Sequence, residues 1–212
     1  MHNLRLFLPK DYTIEELSKA LQLDVPLGNG NGWTASEDLL WELFNEIRDK
    51  RPTHILELGS GYSTLVMAAS MRKAGIQGKI YSLDHQPKYL EQTRSLLREN
   101  KLESFVDLRV AKLEDVTING YTGPWYDREA LSFDKPIDMA LIDGPPAILH
   151  PHIRFPTLPL IWQSCKPGCR IFLDDAHRKA EKRIVESWIE HHPFRIENFD
   201  TTKGLVVLTK DN

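Results

Sequence analysis

The chain of 212 residues has only two cysteines, no long hydrophobic run and little excess of either charge. Two cysteines cannot supply the disulfide framework of a small secreted domain. Without an apolar run of about 18 residues, no membrane-spanning helix is expected. A formal net charge of -3 gives no electrostatic attraction to nucleic acid or anionic lipid. The few cysteines, the lack of an apolar run and the small net charge predict a globular, cytoplasmic protein that has neither nucleic acid nor membrane as a partner.

The two cysteines, Cys165 and Cys169, lie too far apart for a CxxC motif. A redox pair or a zinc site would be the functional interpretation, but zinc needs further ligands nearby. We therefore predict two reduced, structural thiols.

The chain also lacks internal repeats, low-complexity tracts and Ser/Gly linkers, which favours one domain over residues 1–212. We divide it into an N-terminal helical segment, residues 1–50, and a cofactor-binding core, residues 51–212. Capping and apolar spacing predict two helices in the N-terminal segment, from the Thr13 cap to Leu21 and from Ser36 to Asp49.

From residue 53 onward, strand patterns alternate with helix patterns. Strands are predicted at His54–Leu58, Lys79–Leu83, Phe105–Val110, Ile137–Ile142, Arg170–Leu173, Phe194–Phe199 and Gly204–Leu208. Helices are predicted at Ser63–Lys73, Pro87–Arg98, Pro156–Ser164 and Ala176–Glu190, and a polar connection precedes Ile137. Alternation of this kind indicates an α/β fold with a mostly parallel sheet and helices on both faces. The last two strands are joined too tightly for a crossover, so the sheet must end in an antiparallel pair.

A glycine turn follows the first strand. Gly59-Ser-Gly61 lets a ligand approach the backbone and the N-terminus of the next helix. Glu57 precedes the turn and suits a cationic ligand group, and Thr64 stands where a dinucleotide fingerprint requires glycine. Asp84 ends the second strand, where an acid can bind ribose hydroxyls. Together these residues favour a nucleoside that carries positive charge and no pyrophosphate, such as S-adenosylmethionine (SAM).

With these motifs the sequence resembles the class I SAM-dependent methyltransferases. Their acid-x-Gly-x-Gly motif matches Glu57, Gly59 and Gly61, with Ser63 in place of a third glycine, and their ribose acid matches Asp84. The resemblance implies a Rossmann-like, doubly wound, seven-stranded sheet that ends in an antiparallel hairpin. It further implies that the two glycines pass under the methionine part of SAM. Glu57 would hold the amino group, directly or through water, and Ser63 the carboxylate.

The same resemblance places His85 and Lys112 beside the adenine. The alternative for His85 is a plain surface position. Two later runs, Leu-Ile-Asp-Gly-Pro-Pro and Leu-Asp-Asp-Ala-His-Arg, are similar to a bacterial branch whose members act on small molecules or glycans.

Candidate chemical groups follow the fourth and fifth strands, where ligands of open α/β sheets bind. In one version Asp143, Asp175 or His177 is the general base. In the other, Asp143, Asp174 and Asp175 hold a divalent cation such as Mg²⁺. The second version follows a resemblance to the metal-dependent catechol-type O-methyltransferases, from which this chain departs by having Asp175 where they have Asn.

Structural interpretations of the same residues stay open. Asp175 can cap the following helix, and Asp174 can pair with Arg178 in its first turn. His150, His152 and Arg154 either line an acceptor pocket or are ordinary loop residues.

The function predicted from the resemblance is SAM-dependent methyl transfer, namely O-methylation of a small hydroxylated acceptor such as a sugar or a phenol. The alternatives are an inactive SAM-binding protein, an NAD-dependent oxidoreductase and an aminopropyl transferase. Nothing in the sequence indicates the oligomeric state.

Overall fold

The computed structural model describes residues 13–28 and 35–211. Its helices are α1 (Ile14–Leu21), α2 (Glu37–Lys50), α3 (Tyr62–Lys73), α4 (Pro87–Glu99), α5 (Thr157–Ile161) and α6 (Lys179–His191). Its strands are β1 (His54–Leu58), β2 (Lys79–Asp84), β3 (Val106–Val110), β4 (Leu113–Ile118), β5 (Tyr121–Tyr126), β6 (Ile137–Ile142), β7 (Cys165–Asp174), β8 (Phe194–Phe199) and β9 (Leu205–Lys210). Short 3₁₀ segments cover Glu103–Phe105, Arg128–Leu131 and Trp162–Ser164.

Within the described residues, seven strands form one sheet in the order β3-β2-β1-β6-β7-β9-β8. Pairing is parallel from β3 to β7, and β9 is antiparallel to both β7 and β8. The chain runs outward from β1 to β2 and β3, and then returns to add β6 on the other side of β1. This is the doubly wound sheet with a terminal antiparallel hairpin that the sequence predicts, so the predicted fold is confirmed.

Two apolar clusters cover the two faces of the sheet. Ile55 of β1 belongs to the cluster that α1 to α4 form on one face. Leu56, its neighbour in β1, belongs to the cluster on the other face, which includes residues of the β4–β5 hairpin, α5 and α6. Side chains alternate between the faces of a strand, so a strand that is covered on both sides is apolar along most of its length.

The polar connection predicted before β6 is wrong, because this segment forms an antiparallel hairpin of β4 and β5. Its turn is Asn119-Gly120, and the φ angles of 47° and 81° at these two residues belong to the left-handed region. Asn and Gly adopt this region most readily, and the pair is a typical hairpin turn. The sequence therefore carried a local signal for the hairpin.

Two predicted boundaries also need correction. Strand β7 begins at Cys165, five residues before the prediction, and helix α6 begins at Lys179 rather than at Ala176. The delayed start of α6 follows from Arg178, whose ψ of 143° is extended rather than helical, and from the backbone N–H of Ala176, which donates to the carbonyl of Gly204 at 2.9 Å. Cys165 and Cys169 are free and buried in β7, as predicted.

The N-terminal helices form where capping and periodicity place them. The Thr13 hydroxyl caps α1 and accepts a hydrogen bond from the backbone N–H of Glu16, and the backbone N–H of Thr13 donates in return to the Glu16 carboxylate, which completes a capping box. Residues 1–12 and 29–34 of the predicted N-terminal segment lie outside the described residues. The division into an N-terminal segment and a core stays a prediction. No helix among the described residues is long and apolar enough to cross a membrane.

Candidate functional site

A cavity of about 460 Å³ lies at the carboxyl ends of β1, β2, β6 and β7. One end is lined by the β1–α3 turn, Gly59 to Ser63, and by residues at and after the end of β2. The other end is lined by the loop that follows β6 and by four charged side chains: Arg154, Asp175, Arg178 and Lys203. The order of the sheet reverses between β1 and β6, and this is where open α/β sheets bind their ligands.

The β1–α3 turn brings the backbone into the wall of the cavity. Gly59 has a φ of 98°, and a Cβ atom at this residue would lie 3.2 Å from the backbone nitrogen of Gly144. Both the dihedral angle and the close approach require glycine. The turn after β1 and the turn after β6 therefore pack directly against each other.

Glu57 lies beneath this turn and is fully buried. Its carboxylate accepts hydrogen bonds from the hydroxyls of Ser63 at 2.6 Å, Thr64 at 2.5 Å and Ser82 at 2.5 Å. Glu57 is not one of the described residues that line the cavity, so its contact with a ligand through water stays a prediction. Ser63 does line the cavity, but its hydroxyl is engaged with Glu57. The predicted bond from Ser63 to a ligand carboxylate therefore requires a change of partner.

Burial raises the pKa of Glu57 from 4.5 to about 7, against the three hydroxyl donors that lower it. Between these two pH values the folded protein holds a proton that the unfolded chain has released. Stability is therefore lost as the pH rises through this window. We expect Glu57→Gln, which cannot ionise, to gain about 2–3 kcal/mol of unfolding free energy relative to the native protein between pH 5 and pH 8.

Urea unfolding at pH 5 and pH 8 measures this gain. Glu186→Gln is the matched control, because Glu186 lies exposed on α6 and its carboxylate stays in water. If the difference between Glu57→Gln and the native protein did not change with pH, the buried carboxylate would not be the source of the effect.

Asp84 ends β2 at the same end of the cavity. Its side chain is mostly buried and accepts hydrogen bonds from the backbone N–H groups of Ser60 at 3.2 Å and Gln86 at 2.8 Å. His85 also lines the cavity. The exposed Lys112 is not among the lining residues, and its backbone N–H donates to Asp127 at 3.0 Å. The structure therefore brings Asp84 and His85 to the glycine turn and leaves Lys112 outside.

Three carboxylates meet at the ends of β6 and β7. Asp143, Asp174 and Asp175 each have an oxygen within 4.8 Å of the others. Asp143 and Asp175 line the cavity, whereas Asp174 is fully buried beside it. Burial, followed by the charges of Asp143 and Asp175, raises the pKa of Asp174 to about 7. The exposed His177 is not among the lining residues, and its role as general base stays a prediction.

Arg154 lies among these acids and is only 2% exposed. Its Nη2 atom lies 3.1 Å from Asp143 Oδ1 and 3.0 Å from Asp175 Oδ2. Its Nη1 atom donates to the backbone carbonyl of Asp174 at 3.0 Å. The sequence suggested Arg154 only as a pocket-lining residue. It gave no signal of these contacts, because the partners come from separate elements.

The sequence analysis offered structural roles for Asp174 and Asp175, as a partner of Arg178 and as a helix cap, and the structure differs from both. Arg178 pairs with Asp175 at 2.8 Å and not with Asp174, and Arg178 itself occupies the N-cap position of α6. His150 and His152 line a separate depression beside Tyr121 and Phe155 rather than the cavity described above.

Comparison with known proteins places the chain in a family. The sequence model described as "Methyltransferase domain" matches residues 56–176, more than half of the chain. A curated relative, the protein-L-isoaspartate O-methyltransferase of Methanopyrus kandleri, is 28% identical over 103 residues. That alignment covers 47% of this chain and 44% of the relative, so the chain spans less than half the length of this protein.

Solved structures share the fold at low sequence identity. The O-methyltransferase from Bacillus cereus in complex with SAH is 18% identical, with a TM-score of 0.65, and the match covers 97% of this chain and 94% of the Bacillus cereus chain. The O-methyltransferase TomG from Streptomyces achromogenes in complex with SAM is 14% identical with a TM-score of 0.66, covering 99% and 93%. Together with the family match and the glycine turn, this shared fold shows that the chain belongs to the class I SAM-dependent methyltransferase family.

Proposed function

We propose that this protein binds SAM in the cavity and transfers the methyl group to a hydroxyl of a small acceptor. One observation carries the proposal. A single cavity joins the glycine turn and Asp84 at one end to Asp143 and Asp175 at the other. A nucleoside-binding end and a proton-accepting end are the two parts that transfer to a hydroxyl requires.

At the nucleoside end, Gly59 and Gly61 would lie under the methionine part of SAM. The carboxylate of Asp84, which lines the cavity, would accept hydrogen bonds from the ribose hydroxyls, and His85 would border the adenine. Glu57 would act from beneath the turn in its ionised form, as a negative charge that attracts the cationic amino group through water.

At the acceptor end, the loop after β6 presents Ile148, which is 82% exposed, and Leu149, which is 47% exposed. Apolar side chains in a pocket wall bind apolar ligand surface, and a few polar groups fix its orientation. Between a sugar and a phenol as the small hydroxylated acceptor, these side chains favour the phenol. A glycan acceptor is the second candidate, because the sequence resembles a branch whose members act on small molecules or glycans.

Bound SAM supplies an activated methyl group attached to a cationic sulfur. The acceptor hydroxyl oxygen forms a bond to the methyl carbon as the carbon–sulfur bond breaks, and the hydroxyl proton must move to a base. Asp143 fits this role best: it lines the cavity, its side chain is 22% exposed, and Arg154 holds one of its oxygens. Holding the base in place is a direct contribution to the rate.

The experiment has a binding arm and a transfer arm. Calorimetric titration with SAM, with S-adenosylhomocysteine and with NAD tests the nucleoside, and we expect binding of the first two only. Incubation with methyl-labelled SAM and a panel of phenols, sugars and short glycans tests transfer to a hydroxyl. Binding of SAM without label transfer to any acceptor would favour an inactive SAM-binding protein, and failure to bind SAM would overturn the proposal.

A divalent cation held by Asp143, Asp174 and Asp175 is the other way to activate a hydroxyl. The oxygens of these residues are close enough to share an ion, and the described residues include no other such group of acids. The residues around them do not fit one, however, because Arg154 already contacts the carboxylates of Asp143 and Asp175. No step of the proposed reaction is therefore assigned to a metal.

A further inference from the structure

We propose that the guanidinium of Arg154 is the resident cation of this acid cluster, so that the protein excludes a divalent metal from the position between Asp143 and Asp175. The inference rests on the proposed function for its catalytic meaning, because Asp143 is the proposed base. The claim that the guanidinium occupies the place of a metal rests only on the contacts of Arg154.

The first argument is the position of the guanidinium. A single nitrogen, Nη2 of Arg154, lies 3.1 Å from Asp143 Oδ1 and 3.0 Å from Asp175 Oδ2, and it also donates to the backbone carbonyl of Asp143. Magnesium binds oxygen at about 2.1 Å and calcium at about 2.3–2.6 Å. An ion bound to the same two oxygens would lie against Nη2, so ion and guanidinium compete for one place.

The second argument is that Arg154 is held from behind. Nη1 donates to the backbone carbonyl of Asp174 at 3.0 Å and lies 3.8 Å from Oε1 of Glu181, a buried residue of α6. The guanidinium therefore connects the ends of β6 and β7 to α6. A cation that entered the cluster would have to displace a buried side chain from all of these contacts.

The third argument concerns charge. Arg154 is only 2% exposed, and this burial by itself lowers the pKa of its guanidinium, but the surrounding carboxylates outweigh the burial and the pKa is raised. An arginine stays protonated under all ordinary conditions, so its charge is permanent. It can therefore supply, without exchange with solvent, the positive charge beside Asp143 that a divalent ion would otherwise supply. In this role Arg154 is a positioning residue that acts through Asp143.

Binding of Mn²⁺ tests the inference directly and needs neither SAM nor an acceptor. Titration of EDTA-treated protein with Mn²⁺, followed by the paramagnetic resonance of free Mn²⁺, should show no stoichiometric site in the native protein at submillimolar Mn²⁺. Arg154→Gln leaves the acid cluster without its cation, so we expect it to bind Mn²⁺ at least about tenfold more tightly than the native protein. Mn²⁺ should also raise the Tm of this variant and not that of the native protein.

Two further variants separate the specific effect from a general loss of charge. Arg154→Lys keeps a cation at the centre and should still exclude Mn²⁺. Arg178→Gln removes a positive charge from the half-exposed edge of the cluster, where Arg178 pairs with Asp175, and should gain no site.

A submillimolar Mn²⁺ site in the native protein would overturn the inference, and so would Arg154→Gln binding Mn²⁺ no more tightly than the native protein. Should Arg154→Gln fail to fold, the native protein and Arg154→Lys still decide, because stoichiometric binding by either contradicts exclusion and its absence in both supports it. These readouts stay valid even if the protein does not bind SAM. A failure of the proposed function is thus distinguishable from a failure of this inference.

Discussion

Asp143→Asn is expected to lower kcat for methyl transfer by about 10²- to 10⁴-fold, which is the usual contribution of a general base. Asparagine keeps the size and shape of the side chain but cannot take up the hydroxyl proton. The nucleoside end of the cavity is unchanged, so the affinity for SAM should remain close to that of the native protein. Initial rates of label transfer to an acceptor from the panel, together with calorimetric titration of SAM, measure the two effects separately.

Asp211→Asn is the matched control. Asp211 follows β9, which is antiparallel to β7, so it lies toward the amino end of β7 and away from the cavity; there it pairs with Arg195, and this variant should keep the native rate. The competing base is His177, which lies outside the cavity. An active Asp143→Asn variant together with an inactive His177→Ala variant would reverse the assignment.

The fold could be predicted from local patterns because its strands are short and buried on both faces. Strands β1 and β6 have the predicted bounds, His54–Leu58 and Ile137–Ile142. Each is a mostly apolar segment that a glycine or a polar residue follows, so both its type and its limits are indicated by the local sequence. The start of α6 could not be found in this way, because the backbone N–H of Ala176 donates to the carbonyl of Gly204, a residue distant in the sequence.

The two ends of the candidate site also differ in how far the sequence alone predicts them. Gly59, Gly61 and Asp84 follow two adjacent strands, and the order of the motifs alone places them together. The acid cluster was also predictable in outline, since Asp143 and Asp174 end neighbouring parallel strands. Arg154 was not, because only the folded chain places its guanidinium between those strands and α6. A cation site predicted from acids alone therefore omits the positive charge that the fold already supplies.

The burial of Glu57 could not be predicted from the sequence either. Glu57 precedes the glycine turn by two residues, which suggests a carboxylate that faces the ligand. In the structure it points to the α3 side of β1, where three hydroxyls solvate it in place of water. An acid next to a binding loop can thus support the loop from beneath rather than form the wall of the pocket.

Asp84→Ala is expected to weaken the binding of SAM by about 1–3 kcal/mol, the cost of losing hydrogen bonds to a charged acceptor. This corresponds to a roughly 5- to 150-fold higher Kd. The physical reason is that Asp84 offers the only carboxylate lining the nucleoside end of the cavity among the described residues. Calorimetric titration of SAM into native protein and variant measures the difference.

Asp84 also accepts hydrogen bonds from the backbone of Ser60 and Gln86, so its removal loosens the glycine turn as well. Asp84→Asn separates the two roles, because its side-chain oxygen can keep one backbone bond while the negative charge is lost. An intermediate affinity for Asp84→Asn would indicate that both roles contribute. Asp115→Ala, an exposed change on β4, is the control and should bind SAM as the native protein does. If Asp84→Ala bound SAM with native affinity while it remained folded, the ribose would have to be held elsewhere, and the orientation proposed for the nucleoside in the cavity would be wrong.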